Sequence, residues 1–379
     1  MPATHSAAIL VGNGLSIAFN AELNLQTITE EVMRRIEDAA GDDVVAAMKE
    51  IAERALPDGV TSAEDFEQLV GAFGAESRTL STLETLASLT SPTDRKLRRA
   101  IRRVASFAEQ VRDNGVSHVL EVICERSRAY HDDAADLHAL VSAVLDRFDG
   151  RVVFGNLNYD TLLLAALMHV CRSGDLADMA DGRTRVTVTV NDEEEREVPA
   201  LRATAGDFPT GRRVRLLHLH GSLTYWANKD RTIYAKLPKD LLDDGDQWKA
   251  VREGTTNVRP AVVLANPKDK AQHVSEYPFS LAYKMFKNAL KRSDHWVVIG
   301  YSFKDAPVNQ MLASVFLEYE DKPSVLVCTY GDQPSREEVE RALGWGADDG
   351  DSKDWLTFSR RGANGLQDTR QWERFIPQQ

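Results

Sequence analysis

The hydrophobic pattern alternates between two periods. The opening AAILVGNGLS is an unbroken apolar run that ends in a glycine-rich turn, and it predicts a strand buried on both faces. From about residue 21 to 149, apolar positions recur every three or four residues, as in ITEEVMRRIEDAA and DLHALVSAVLDRF. This predicts helices. Within that block, Thr61 and Ser62 before Glu64 and Asp65 read as a helix start, and SPTDRK reads as a break. RVVFGN is a second strand-like run, followed by a buried helix in NYDTLLLAALMHV. TRVTVTVNDEEEREV reads as a surface hairpin with an acidic turn. VRLLHLHG is a third core strand. Further on, AVVLANP, HWVVIGYS, PSVLVCTYG and DWLTFS read as strands. PFSLAYKMFKNALKRS, VNQMLASVFLEY, SREEVERALG and TRQWERF read as helices.

Strands alternating with helices predict an α/β fold, an open and mostly parallel sheet with helices on both faces. The helical block 21–149 is too long for one crossover and reads as an inserted helical subdomain. The whole chain, 1–379, then forms one α/β domain with further insertions at 172–213 (the hairpin) and 229–259 (irregular and charged, an insertion or lid).

Composition narrows the function. Lys and Arg number 46 against 58 Asp and Glu, a net charge of −12, which argues against broad nucleic-acid binding. The only three cysteines, Cys124, Cys171 and Cys328, are widely spaced, which argues against a zinc knuckle or a disulfide framework. No apolar run approaches the roughly 20 residues of a membrane span, and the first residues lack a basic and apolar leader. The expected compartment is the cytoplasm, with no membrane partner.

Four polar motifs fall at predicted strand ends, where ligands bind in open α/β sheets. Gly12-Asn13-Gly14-Leu15-Ser16 allows close backbone approach to a phosphate, or is a tight strand exit. It lacks the third glycine of a dinucleotide fingerprint and the lysine of a P-loop. In Asn158-Tyr159-Asp160, the amide and carboxylate suit ribose hydroxyls or an ordered water, whereas Asp160 alone also suits a helix cap. In His218-Leu219-His220-Gly221, two imidazoles share a face of an extended strand. His220 at the strand end suits a general base, and His218 suits a buried, satisfied position; no third metal ligand stands nearby. Gly300-Tyr301-Ser302-Phe303-Lys304-Asp305, with Asn309, repeats the strand-to-turn pattern. Ser302 there suits a phosphate or ribose contact, or a helix cap like Asp305. Asp65-Phe66-Glu67 reads as a solvated helix face.

Together, in this order, the motifs resemble the sirtuin-like NAD-binding superfamily, and more closely the prokaryotic sirtuin-like NADases of antiphage defence. Gly12 to Ser16 resembles the family's phosphate loop, Asn158 and Asp160 its N-[IY]-D motif, His220-Gly221 its catalytic HG, and Gly300-Tyr301-Ser302 its late GxS turn. The GYSFxDxxxN form is typical of the defence-associated branch. The resemblance implies a Rossmann-like sheet and NAD as substrate, with no metal. It implies Asn158 and His220 as catalytic residues, and Gly12, Asn13, Gly14, Ser16, Asp160, Gly221, Gly300, Ser302, Asp305 and Asn309 as NAD-binding residues. Asn13 replaces the usual small residue, and Asn156-Leu157 stand where protein deacylases carry Thr-Gln. The four zinc cysteines of those enzymes are absent. The implied activity is NAD glycohydrolysis to nicotinamide and ADP-ribose. The alternatives are an NAD-dependent deacylase or ADP-ribosyltransferase, or a non-catalytic sensor of NAD or ADP-ribose. The resemblance further implies a homo-oligomer, or activation by a separate partner such as a HerA-type ATPase or an Argonaute.

Overall fold

A computed structural model describes residues 5–43, 45–46, 49–50, 95–128, 134–172, 174–191, 194–264 and 267–375. The helix start at Thr61 to Asp65, the Asp65-Phe66-Glu67 face and residues 91–94 of the SPTDRK break lie outside the described residues, and its last two residues, Arg95 and Lys96, open the helix Arg95–Arg128.

The strands are β1 (Ala7–Val11), β2 (Val152–Asn156), β3 (Leu176–Ala177), β4 (Ala180–Thr189), β5 (Glu195–Leu201) and β6 (Val214–His218). After them come β7 (Gly221–Asn228), β8 (Tyr234–Lys236), β9 (Val258–Val262), β10 (His295–Ile299), β11 (Ser324–Cys328) and β12 (Leu356–Ser359). Seven of them form an all-parallel sheet in the order β12-β11-β10-β1-β2-β6-β3, flanked by helices: the expected α/β, Rossmann-like fold.

The unbroken apolar runs now have a physical cause. Alternate residues of each central strand enter different cores. Ile9, Phe154, Leu216 and Val297 face one core, packed with Leu140 and Val144 of the helix Ala134–Arg147 and Leu163 of the helix Leu162–Val170. Ala8, Leu10, Val153, Leu217 and Val298 face the other, with Phe286 of the helix Phe279–Leu290 and Leu312 of the helix Ala306–Phe316. With both faces covered, no polar position remains to set a period of two.

A second sheet, β4-β5-β8-β7-β9, is antiparallel where its pairings are resolved, and the sequence pattern did not separate it from the first. The segment VRLLHLHG does not continue as one strand. β6 stops at His218, and Gly221, at φ +87°, turns the chain into β7 of the second sheet. A Cβ there would lie 2.4 Å from the carbonyl oxygen of Ala261, so any side chain collides with β9. The extended alternation that would put His218 and His220 on one face therefore ends before His220. β9 also belongs to the second sheet, and its Pro260 is tolerated because β9 is an edge strand.

The helices Leu25–Ala40 and Arg95–Arg128 pack together beside the carboxyl ends of β1 and β2. Arg35 reaches Glu125 at 2.6 Å, and Arg126 donates to Thr27 Oγ1 at 2.8 Å. Among the described residues, no helix is long and apolar enough to cross a membrane.

Candidate active site

The turns after β1 and β10 are built as one unit. Gly14 donates its N–H to the Gly300 carbonyl at 2.9 Å, and Gly12 donates to that of Ile299 at 2.9 Å. A Cβ on Gly14 would lie 2.6 Å from Gly300 Cα. One on Gly300, at φ +64°, would lie 2.4 Å from Gly14 C. Only glycine allows these two backbones to touch.

Ser16, Asn158 and Asp160 form a buried network under the first turn. Ser16 Oγ donates to Asp160 Oδ2 at 2.6 Å. Asn158 Nδ2 donates to Ser16 Oγ at 2.8 Å and to the Gly12 carbonyl at 3.1 Å. With both amide hydrogens committed, Asn158 can meet a ligand only as an acceptor, through Oδ1. Asp160 Oδ1 accepts from the Leu162 N–H at 3.0 Å, at the start of its helix. Burial pushes the Asp160 carboxyl up, opposed by those hydrogen bonds.

His220 is 3% exposed and sits at a charged cluster. Its Nε2 is 3.2 Å from Tyr283 Oη and 3.5 Å from Asp305 Oδ2. Lys270 Nζ reaches the same Oδ2 at 2.7 Å, while Asp305 Oδ1 caps its helix by accepting from the Val308 N–H at 3.0 Å. Burial alone would raise the Asp305 carboxyl, but His220 and Lys270 outweigh it and hold it below its usual value. Asp305 is thus an anion poised against the imidazole. His218 lies elsewhere: 2% exposed, it meets Asn156 Nδ2 through Nδ1 at 3.3 Å. Burial depresses its pKa to about 4, so it stays neutral.

A cavity of about 520 Å³ opens at the carboxyl ends of β1, β2 and β10. It is lined by Gly12, Asn13, Gly14, Asn158, Asp160, His220, Gly300, Ser302 and Asp305. Three other candidates stand behind its wall. Ser16 lies in the buried network, and Gly221 turns the chain after His220. Asn309 braces the last turn: its Nδ2 donates to the Phe303 carbonyl at 2.7 Å, and its Oδ1 accepts from Tyr301 Oη at 2.8 Å. That brace holds Phe303 at φ +57°, a conformation costly for a bulky residue.

The sequence reading missed Lys270, Tyr283 and the apolar roof of Leu23, Leu25, Ile28 and Ile123. Lys270 is one of several polar residues on the short helix Pro267–Ser275, and Tyr283 lies on the amphipathic helix Phe279–Leu290, so neither stands out in the sequence pattern. A larger cavity, about 720 Å³, lies between the helix Arg95–Arg128 and the second sheet and contains none of the motif residues. Its arginines are paired, Arg252 with Glu121 at 2.8 Å and Arg112 with Asp113 at 2.8 Å.

Among the described residues, no group of three or more His, Cys, Asp or Glu is arranged to hold a metal ion. The site offers instead glycine backbone that a phosphate can approach closely, an amide acceptor and an anion-backed imidazole, a set suited to a phosphorylated sugar. No curated protein matches the chain. The family model for the SIR2-like domain matches residues 152–348, from β2 through the turn that carries Asp305 and beyond. SIR2-like domains bind NAD and are in general NAD-dependent enzymes. With just over half its length matched and its seven-stranded parallel sheet in place, this chain belongs to the SIR2-like domain family.

Proposed function

We propose that the chain is an NAD glycohydrolase, cleaving the nicotinamide–ribose bond to give nicotinamide and ADP-ribose. The observation that carries this reading is the single cavity onto which the glycine turns, Asn158 and the His220–Asp305 pair all open. The glycine turns suit the pyrophosphate, and Ser302 the adenosine side or a phosphate. Asn158, through Oδ1, orients the nicotinamide ribose or the attacking water. As the C1′–N1 bond breaks, its electron pair leaves with nicotinamide as a neutral group, and oxocarbenium charge develops on the ribose. Water adds at C1′, and its proton passes to His220, whose imidazolium Asp305 stabilises. Such a base contributes roughly 10²–10⁴-fold. Water is the proposed acceptor because Cys124, Cys171 and Cys328, all free and scattered over three elements, cannot build the zinc module that shapes an acyl-peptide cleft in deacylases.

The test is incubation of purified protein with NAD and quantification of nicotinamide, for the native chain and for Asn158→Ala and His220→Ala. Turnover lost in both variants supports the assignment, and turnover surviving in both overturns it. O-acyl-ADP-ribose formed with an acetyl-lysine peptide would replace the reading with deacylation.

The proposed role is regulated NAD depletion in antiphage defence, on the support of the GYSFxDxxxN turn at Gly300 to Asn309. Free-running hydrolysis would be toxic, so control is proposed to come from self-assembly or from a separately encoded partner such as a HerA-type ATPase or an Argonaute. A monomer fully active alone in size-exclusion chromatography coupled to NAD consumption would remove that part.

A further inference from the structure

The opposite end of the parallel sheet, where its strands begin, carries a concentration of arginines that the proposed chemistry does not use. Arg151 directly precedes β2, and Arg215 is the second residue of β6. Arg292 follows the helix Phe279–Leu290 just before β10. Register sets Arg215 beside Val153 of β2 and Ala177 of β3. Arg151, two residues before Val153, shares that face by strand alternation. Arg202, which follows β5, reaches the same place across one aromatic ring. The guanidinium carbons of Arg202 and Arg215 lie 5.0 and 5.4 Å from the centre of Phe208.

Among the described residues these charges meet one carboxylate, that of Asp181, and otherwise backbone carbonyls: Asp207 accepts from Arg202, and Thr210 accepts from Arg151 at 3.2 Å. Arg202 is held by the carbonyl of Asp178 at 3.0 Å and by the Asp181 carboxylate at 3.7 Å. Arg215 has a buried Nε with no hydrogen-bond partner, and so does Arg151. Burial, with repulsion from Arg151, Arg202 and Arg292, weakens the hold of Arg215 on its proton. All this occurs in a chain whose net charge is −12. Four guanidiniums gathered against the overall charge repel one another unless an anion joins them.

We propose that this arginine cluster binds a phosphate-bearing small molecule at a site separate from the glycine-turn cavity. Guanidinium forks match phosphate oxygens in paired, charge-assisted hydrogen bonds. Arg151 and Arg215 are only partly buried and Arg292 is exposed, so the cluster stays open to a small anion from solvent. The acidic remainder of the molecule repels an extended polyanion, which favours a compact ligand over nucleic acid.

The test uses inorganic pyrophosphate as the probe and thermal unfolding as the readout, on the full chain and on Arg215→Gln and Arg292→Gln. Pyrophosphate is expected to raise the Tm of the native chain in a saturable way. Either variant should bind it at least about tenfold more weakly, since one charge-assisted contact is lost. Without pyrophosphate, Arg215→Gln should melt no lower than the native chain, because relief of repulsion offsets any lost packing. An unchanged pyrophosphate response in both variants would overturn the proposal, placing the anion elsewhere. So would a short DNA duplex that binds more tightly than pyrophosphate through the same arginines. If Arg215→Gln does not fold, the exposed Arg292→Gln decides alone.

Discussion

Gly14 and Gly300 touch backbone to backbone, the N–H of one bonded to the carbonyl of the other at 2.9 Å. Two strand-end turns far apart in sequence thereby become one floor for the cavity. Gly300→Ala puts a methyl 2.4 Å from Gly14 C at a φ of +64°. We expect it to cost more than about 2 kcal/mol, whereas Gly211→Ala, which meets nothing within 4 Å, should stay within about 0.5 kcal/mol. Urea unfolding of both variants checks this.

Asp305 holds its anion 3.5 Å from His220 Nε2. Asp305→Asn keeps the shape and removes the charge that stabilises an imidazolium. We expect kcat for NAD cleavage to fall by about 10²-fold with a smaller change in KM, a split that steady-state nicotinamide release measures. Equal losses in a fully folded Asp305→Ala and in Asp305→Asn would assign the effect to charge rather than to the helix cap.

Asn309 acts on the site through the backbone. Asn309→Ala frees the Phe303 carbonyl and leaves Tyr301 Oη with the Asp305 carbonyl, at 3.1 Å, as its acceptor, at about 1–2 kcal/mol in stability. The loosened turn carries Ser302, so KM for NAD should rise more than kcat falls. Saturation kinetics beside a thermal melt separate the two effects.

Acid should unfold this protein partly through His218. Its folded pKa, about 4, lies below the unfolded value of about 6.5, so the unfolded chain takes up the proton first. The stability this group contributes is full above pH 6.5 and is lost as pH falls toward 4, about 3 kcal/mol over the window. His118, also depressed to about 4 by burial and by Arg252 and Arg35, acts in the same direction. Urea unfolding between pH 7 and 4 should show this slope, and His218→Gln should remove one proton's share of it.

Much of this was legible in the sequence. Local chain properties determined the buried runs of β1, β2, β6, β10 and β11, the glycine exits after two of them, and Asn158 and His220 as polar groups at strand ends. Each depends on a residue and its near neighbours: an apolar run must be covered, and a glycine allows a turn. Tertiary structure alone decided that the chain leaves β6 at His218 for a second sheet, because the collision at Gly221 involves β9, distant in sequence. It alone bonded Asn158 and Asp160 to Ser16, set His220 and Lys270 around one carboxylate oxygen of Asp305, and brought Tyr283 against His220. It also laid Ile28 and Ile123 over the cavity as a roof. Those relations depend on strand order, register and helix docking, which join residues whose local patterns say nothing of one another.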